Sequence, residues 1–286
     1  MLTTQRAIGA WLRHGERPNV SSAHRSFPHV SRSRLIMDAR IQQSVVANLC
    51  NRPAPVEVGP FVFGLDPTTT SPHINYATPR PGTAITEADV AALVAAFRAA
   101  GRKPRLEYVT SCAPGLETLL TAAGFTVEAR HTYLLCTPDT LTTPPTPDRL
   151  DLHEPATDPQ RAALISAQNE AFGGDPVATE ADVARLRRMQ GNGGVAVMAL
   201  TDDGTCAGGG GAVPPADAVS EVAGIAVRTP YRGRGVAGAI TAEVTRRLFT
   251  AGAEAAWLEA SGKDSWRVYQ RVGYQPAGER LYIALP

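Results

Sequence analysis

From Val219 to Ala251 the sequence reads VSEVAGIAVRTPYRGRGVAGAITAEVTRRLFTA, and no other stretch narrows the possible folds as far. Val219 to Val227 is apolar and partly β-branched and reads as a strand. A helix is expected from about Gly235 to Ala251, with Gly252 placed to cap its end. Between them, Arg232-Gly-Arg-Gly-Val-Ala237 puts glycines at 233 and 235, where they allow unusual backbone angles and close approach. A chain entering a helix in this way leaves the first N–H groups unpaired and turns the positive end of the helix dipole outward. Such an element suits a phosphate or pyrophosphate, although six residues of this kind also fit a solvated loop. No Gly-Lys-Ser/Thr follows, so this is not a P-loop, and Gly238 is out of frame for a dinucleotide G-x-G-x-x-G.

The surrounding sequence divides into parts. At 286 residues the chain is long enough for about two domains. Thr137 to Leu150, TPDTLTTPPTPDRL, holds four prolines and five threonines and reads as an extended linker. It separates an expected first domain, 41–136, from a second, 151–286. Residues 1–40 carry seven arginines against two acids and read as an Arg-rich disordered tail, an upstream extension or a transit-like segment. In the second domain, Asp158-Pro159 and Thr179 with Asp182 mark two helix starts. Strands are expected at 194–200, near 206–213, at 219–227, 255–260 and 274–285, with a short helix over 265–272. In the first domain, Thr86 caps a helix over 87–100, a strand covers 105–110, a helix 114–123, and Gly124-Phe125 leads into a strand ending at Cys136. The shared order helix, strand, helix, strand at the ends of both parts suggests internal duplication. The class is α/β with a mixed sheet rather than strict βαβ alternation.

Composition excludes several kinds of protein. Hydrophobic residues are 43% and charged residues 19%, enough to bury a core. The longest apolar run, Val90 to Phe97, is far shorter than the roughly 18 residues a bilayer needs, so no membrane role is expected. A net charge of +1 argues against a nucleic-acid-coated protein, and one RGRG without interleaved aromatics adds little for RNA. Four cysteines at 50, 112, 136 and 206 share no metal-ligand spacing, so no metal is expected and a reducing cytoplasm is the simpler location.

Taken with its flanking strand and helix, the glycine turn resembles the pyrophosphate-binding motif of GNAT-type N-acetyltransferases, Arg/Gln-x-x-Gly-x-Gly/Ala, with Arg232, Gly235 and Ala237 at the matching positions. Ser265-Trp-Arg-Val-Tyr-Gln-Arg-Val-Gly-Tyr274 resembles the family's closing helix motif, with Tyr269 and Gly273 in place. Ser265 stands where alanine is common and Gly262 where asparagine is common. The resemblance covers about 151–286 and implies two tandem GNAT-like acyl-CoA N-acyltransferase units, the first degenerate because 77–88, ATPRPGTAITEA, lacks the turn motif.

The resemblance also implies transfer of an acetyl group from acetyl-CoA to an amine acceptor, a small molecule or a peptide, by direct attack without an acyl-enzyme. The pantetheine arm would lie along Ile225, Ala226 and Val227. The pyrophosphate would sit on Arg232, Gly233, Arg234, Gly235, Val236 and Ala237. An alkyl amine titrates near about 10.4, so a base must take its proton, and the departing thiolate needs an acid. Tyr269 is the candidate acid. Glu221, eleven residues before Arg232, is the candidate base, with Glu170, Asp175 and Glu259 as further acids that would attract a cation. The first part would complete the core and wall off the acceptor cleft. The alternative is a non-catalytic acyl-CoA sensor. Trp257, Trp266 and the glycine run 208–211 are expected to be structural.

Overall fold

The computed structural model describes residues 32–286, so residues 1–31 of the expected tail lie outside the described residues. The rest of that segment is structured. Arg32–Cys50 form helix α1, with Ile41, Val45, Val46 and Leu49 buried. Its polar residues are buried in partnership. Asp38, 2% exposed, accepts hydrogen bonds from the hydroxyls of Ser111 and Tyr133. Arg40 bridges Asp217 (3.0 Å) and Glu254 (2.8 Å).

After α1 come β1 (Val56–Val58), β2 (Phe61–Gly64), β3 (Tyr76–Pro79), α2 (Glu87–Ala99), β4 (Arg105–Val109), α3 (Leu116–Ala122) and β5 (Thr126–Cys136). The second half has β6 (Leu150–His153), α4 (Asp158–Ala171), α5 (Glu180–Gly191), β7 (Val195–Thr201), β8 (Cys206–Ala212), β9 (Val219–Val227), α6 (Val236–Thr250), β10 (Ala255–Glu259), α7 (Lys263–Arg271) and β11 (Gln275–Ala284). The expected elements of 86–136 and 194–285 recur within a few residues. Helix α4 starts one residue earlier than the Asp158-Pro159 signal suggests: Thr157 is its N-cap, in a capping box with Gln160. Strands β1, β2, β3 and β6 and helix α1 have no counterpart in the sequence reading.

The strands form one sheet, β1-β2-β3-β4-β11-β5-β10-β9-β8-β7-β6, antiparallel except at β3/β4 and β9/β10. The order is mirrored about the β5/β11 pair, and there the halves exchange strands. β11, the end of the chain, lies between β4 and β5, while β5 lies between β11 and β10. Leu281 and Ile283 accordingly pack with Phe61, Phe97 and Leu106 of the first half. Leu134 and Cys136 pack with Ile240, Val244 and Leu258 of the second. Boundaries at 41–136 and 151–286 therefore do not delimit two separately closed cores. Each half takes a strand of the other into its own.

Helices α2, α3, α6 and α7 cover one face of the sheet; α1, α4 and α5 cover the other. The Thr/Pro stretch is packed against the second half rather than free. Leu141 lies against its core, and the Thr142 N–H donates to the Val272 carbonyl (2.9 Å). The Thr140 carbonyl occupies the space a side chain at Gly273 would need. The glycine run 208–211 in β8 is structural, as expected. At each of its four positions a Cβ would run into a neighbouring strand or a core side chain.

Candidate active site

The site grows out of β9 and the start of α6. Gly233 (φ 74°) and Gly235 (φ 84°) adopt left-handed angles that turn the chain into the helix. Gly235 is the N-cap and has no side chain to offer, and the N–H groups of Gly233 through Gly238 have no backbone acceptor among the described residues. Six consecutive donors left free at the positive end of a 15-residue helix have the geometry of an anion cradle. Arg232 behaves differently from expectation. Its Nε donates to the Val227 carbonyl (2.9 Å) and its Nη2 to the Ala171 carbonyl (2.7 Å), so it ties the end of β9 to the end of α4. Arg234 stays exposed. The cradle is thus mainly backbone.

Beside it the sheet opens. β9 and β10 pair in parallel only at Val219/Ala255, Ser220/Ala256 and Glu221/Trp257. Beyond Glu221 they separate, and Gly224 (φ 67°) bends β9, with the Gln168 Nε2 of α4 donating to its carbonyl (2.7 Å). Val222 to Val227, including Ile225 and Ala226, face this gap without a partner strand on that side. The first half has the same two features, both filled. β3 and β4 pair only at Ala77/Leu106. Gln42 of α1 closes their gap, donating to Thr78 and to the Pro79 carbonyl (both 2.7 Å) and accepting from the Val109 N–H (2.9 Å). The N-terminus of α2 is capped by Thr86, in a capping box with Asp89. Among the described residues, cradle and strand gap are open only in the second half.

Glu221 sits where β9 and β10 part, its carboxylate accepting no hydrogen bond from a described residue. Burial pushes it up to about 7; Arg280 pulls it down, while Glu259 and Glu107 push it further up and Arg52 lowers it. Tyr269, on α7, is 5% exposed, and burial pushes its hydroxyl up to about 12, so it is protonated at neutral pH. The other acids named from sequence are engaged. Glu170 pairs with Arg228 (2.9 Å), Asp175 accepts from the Val177 N–H (3.0 Å), and Glu259 holds Arg280 and Tyr282.

Two further features border the cradle. Pro147 and Pro144 of the 137–150 segment come within 3.8 and 3.7 Å of where side chains at Gly235 and Gly238 would begin. A cavity of about 410 Å³ opens at the start of α7, lined by Ala260, Gly262, Lys263, Trp266, Arg267 and Gln270. Trp266 is half-buried and lines it, whereas Trp257 is fully buried, as expected. Across the sheet, Asp66 of the loop before β3 pairs with Arg185 of α5 (3.3 Å), docking the first half against the second. Sequence reasoning missed Glu107, Arg280 and Tyr282. The one signal for them is the pair of charged residues at alternate positions of the otherwise apolar β4, Arg105 and Glu107, and an arginine, Arg280, opening the apolar end of β11.

Comparison with known proteins agrees with this geometry. Residues 161–274 match the model of the acetyltransferase (GNAT) family. A GCN5-related N-acetyltransferase from Kribbella flavida is 26% identical, with 87% of this chain and 96% of that one covered and a TM-score of 0.71. A GCN5-related N-acetyltransferase from Sphaerobacter thermophilus (16%, 79% and 80% covered, TM-score 0.55) shares the fold. So does a tandem GNAT protein from the clavulanic acid biosynthesis pathway (14%, 87% and 92% covered, TM-score 0.61). No curated relative matches the sequence. The second half of the chain thus resembles a GNAT-family acetyltransferase domain, set in a mixed α/β sheet. Among the described residues no helix is long and apolar enough to cross a membrane, and no group of three or more His, Cys, Asp or Glu is placed to hold a metal ion.

Proposed function

We propose that the protein is an N-acetyltransferase that moves an acetyl group from acetyl-CoA to an amine acceptor, a small molecule or a peptide, with one working site in its second half. The observation that carries this reading is the open cradle beside the open strand gap, both of which are filled in the first half. The unpaired N–H groups of Gly233 to Gly238 suit a pyrophosphate, and the unpartnered edge of β9 from Val222 to Val227 suits an amide-bearing arm added as a strand would be. When bound, acetyl-CoA supplies the acetyl thioester. Glu221 takes the proton of the attacking amine, directly or through a water; its elevated pKa brings it near the pH at which a base is most effective. Tyr269 donates its hydroxyl proton to the departing sulfur. The acceptor would enter from the face of α1, α4 and α5, walled by Tyr76, Glu107 and the 65–75 loop of the first half.

Acetyl-CoA titration followed by turnover against an amine panel tests the reading. Tight binding with acetylation of at least one amine class supports it. Binding without turnover of any amine would make the protein an acyl-CoA sensor, and no binding would remove both readings.

A further inference from the structure

Glu221 stands at the inner end of the strand gap, and the charges facing it come from both halves of the chain. They are Arg280 on β11, Glu259 on β10, Glu107 on β4 and Arg52 beyond α1, with the phenol of Tyr76 on β3 alongside. Arg280 is 1% exposed. Its Nη1 donates to Glu259 (3.0 Å) and to the Tyr282 hydroxyl (3.2 Å), and its Nη2 reaches Glu107 (3.4 Å). The guanidinium lies 4.9 Å over the ring of Trp257, the residue paired in register with Glu221. Tyr282 in turn donates to Glu259. Glu107 has a second cation, Arg105, which also holds Glu128 (2.7 Å). Three carboxylates thus share one largely buried region, and Arg280 is wedged between two of them, Glu107 and Glu259. Well-packed apolar residues commonly replace whole buried ion networks without loss, so stability alone is a weak reason for such a group.

We propose that Arg280 is a positioning residue for the transfer reaction and that Glu107, contributed by the first half, is its counterweight: together they set the charge balance against which Glu221 accepts its proton. The proposal rests on Glu221 as the base. Like charges in one enclosed region oppose each other's ionisation, and a cation among them offsets that. Without Arg280, three carboxylates face one another and Glu221 ionises at higher pH. Without the charge of Glu107, one repulsion is gone and Glu221 ionises at lower pH. The half that lacks the phosphate cradle is thereby part of the chemistry.

The test is the pH dependence of kcat/KM. Arg280→Met should move the acid limb up by about one pH unit, Arg280→Lys should return most of that shift, and Glu107→Gln should move the limb down. A merely structural role would not shift the limb in opposite directions. NMR titration of the ¹³C-labelled Glu221 carboxyl, identified by its loss in Glu221→Gln, reads the same quantity without turnover and serves if Arg280→Met is a poor enzyme. If Arg280→Met does not fold, Arg280→Lys and Glu107→Gln carry the measurement. Folded variants whose limb and carboxyl titration stay at the wild-type position overturn the proposal. A limb that disappears in Glu221→Gln yet stays put in these variants overturns it while sparing the base. A Glu221→Gln enzyme with wild-type rate and limb removes the base assignment and this proposal with it.

Discussion

Replacing Glu221 by glutamine should stabilise the protein while stopping the reaction, and the size of the gain follows from where the carboxyl sits. Burial is the main reason its pKa rises from the ordinary 4.5 to about 7, with Glu259 and Glu107 adding to it and Arg280 and Arg52 opposing it. At about 1.4 kcal/mol per pH unit, the ionised form costs the folded state at most about 3–4 kcal/mol. Glu221 is only partly enclosed, and water reaching it reduces the cost, so about 1–2 kcal/mol is expected. The sign runs against the usual case for an acid. The folded pKa lies above the unfolded one, so the penalty is absent below about pH 4.5, grows between there and about pH 7, and is complete above that. Guanidinium unfolding of wild type and Glu221→Gln at about pH 4, 6 and 8.5 reads this window. The two should unfold alike at the lowest pH, and the variant should be the more stable at the highest. A gap that does not change with pH, or a variant less stable at pH 8.5, would refute the claim that burial controls this carboxyl.

Three further outcomes are expected. Gly235→Glu puts a carboxylate and a side chain into the cradle at a left-handed position beside Pro147; acetyl-CoA binding measured by calorimetry should weaken at least about tenfold, or about 1.4 kcal/mol, in a protein that still folds. Tyr269→Phe removes the proposed acid and little packing, so single-turnover rates should fall at least about tenfold while acetyl-CoA affinity holds; an unchanged rate would exclude the acid role. Gly273→Ala adds a methyl at φ 104° against the Thr140 carbonyl, which should cost about 2 kcal/mol or more by chemical denaturation and speed proteolysis between Thr137 and Leu150.

The sequence alone determined what neighbouring residues decide among themselves. Strand, glycine turn and helix over 219–251, the Thr86 and Thr179 caps, and the pairing of the turn motif with Tyr269 and Gly273 were legible because turn angles, caps and helix periodicity act within a few residues. Tertiary structure decided the rest. Helix α1 escaped notice because Asp38 and Gln42 look like solvent-facing residues until Tyr133, Thr78 and Val109 arrive from distant parts of the chain to pair with them. The exchange of β5 and β11 was equally invisible, since strand pairing is a contact between segments and leaves no mark in either segment alone. That exchange carries Arg280 to Glu107 and brings both within reach of Glu221. A glutamate's pKa depends on its burial and on the charges around it, and here those charges come from β4, β10, β11 and the turn after α1, so only the folded chain brings the proposed base, Glu221, to a pKa near neutrality.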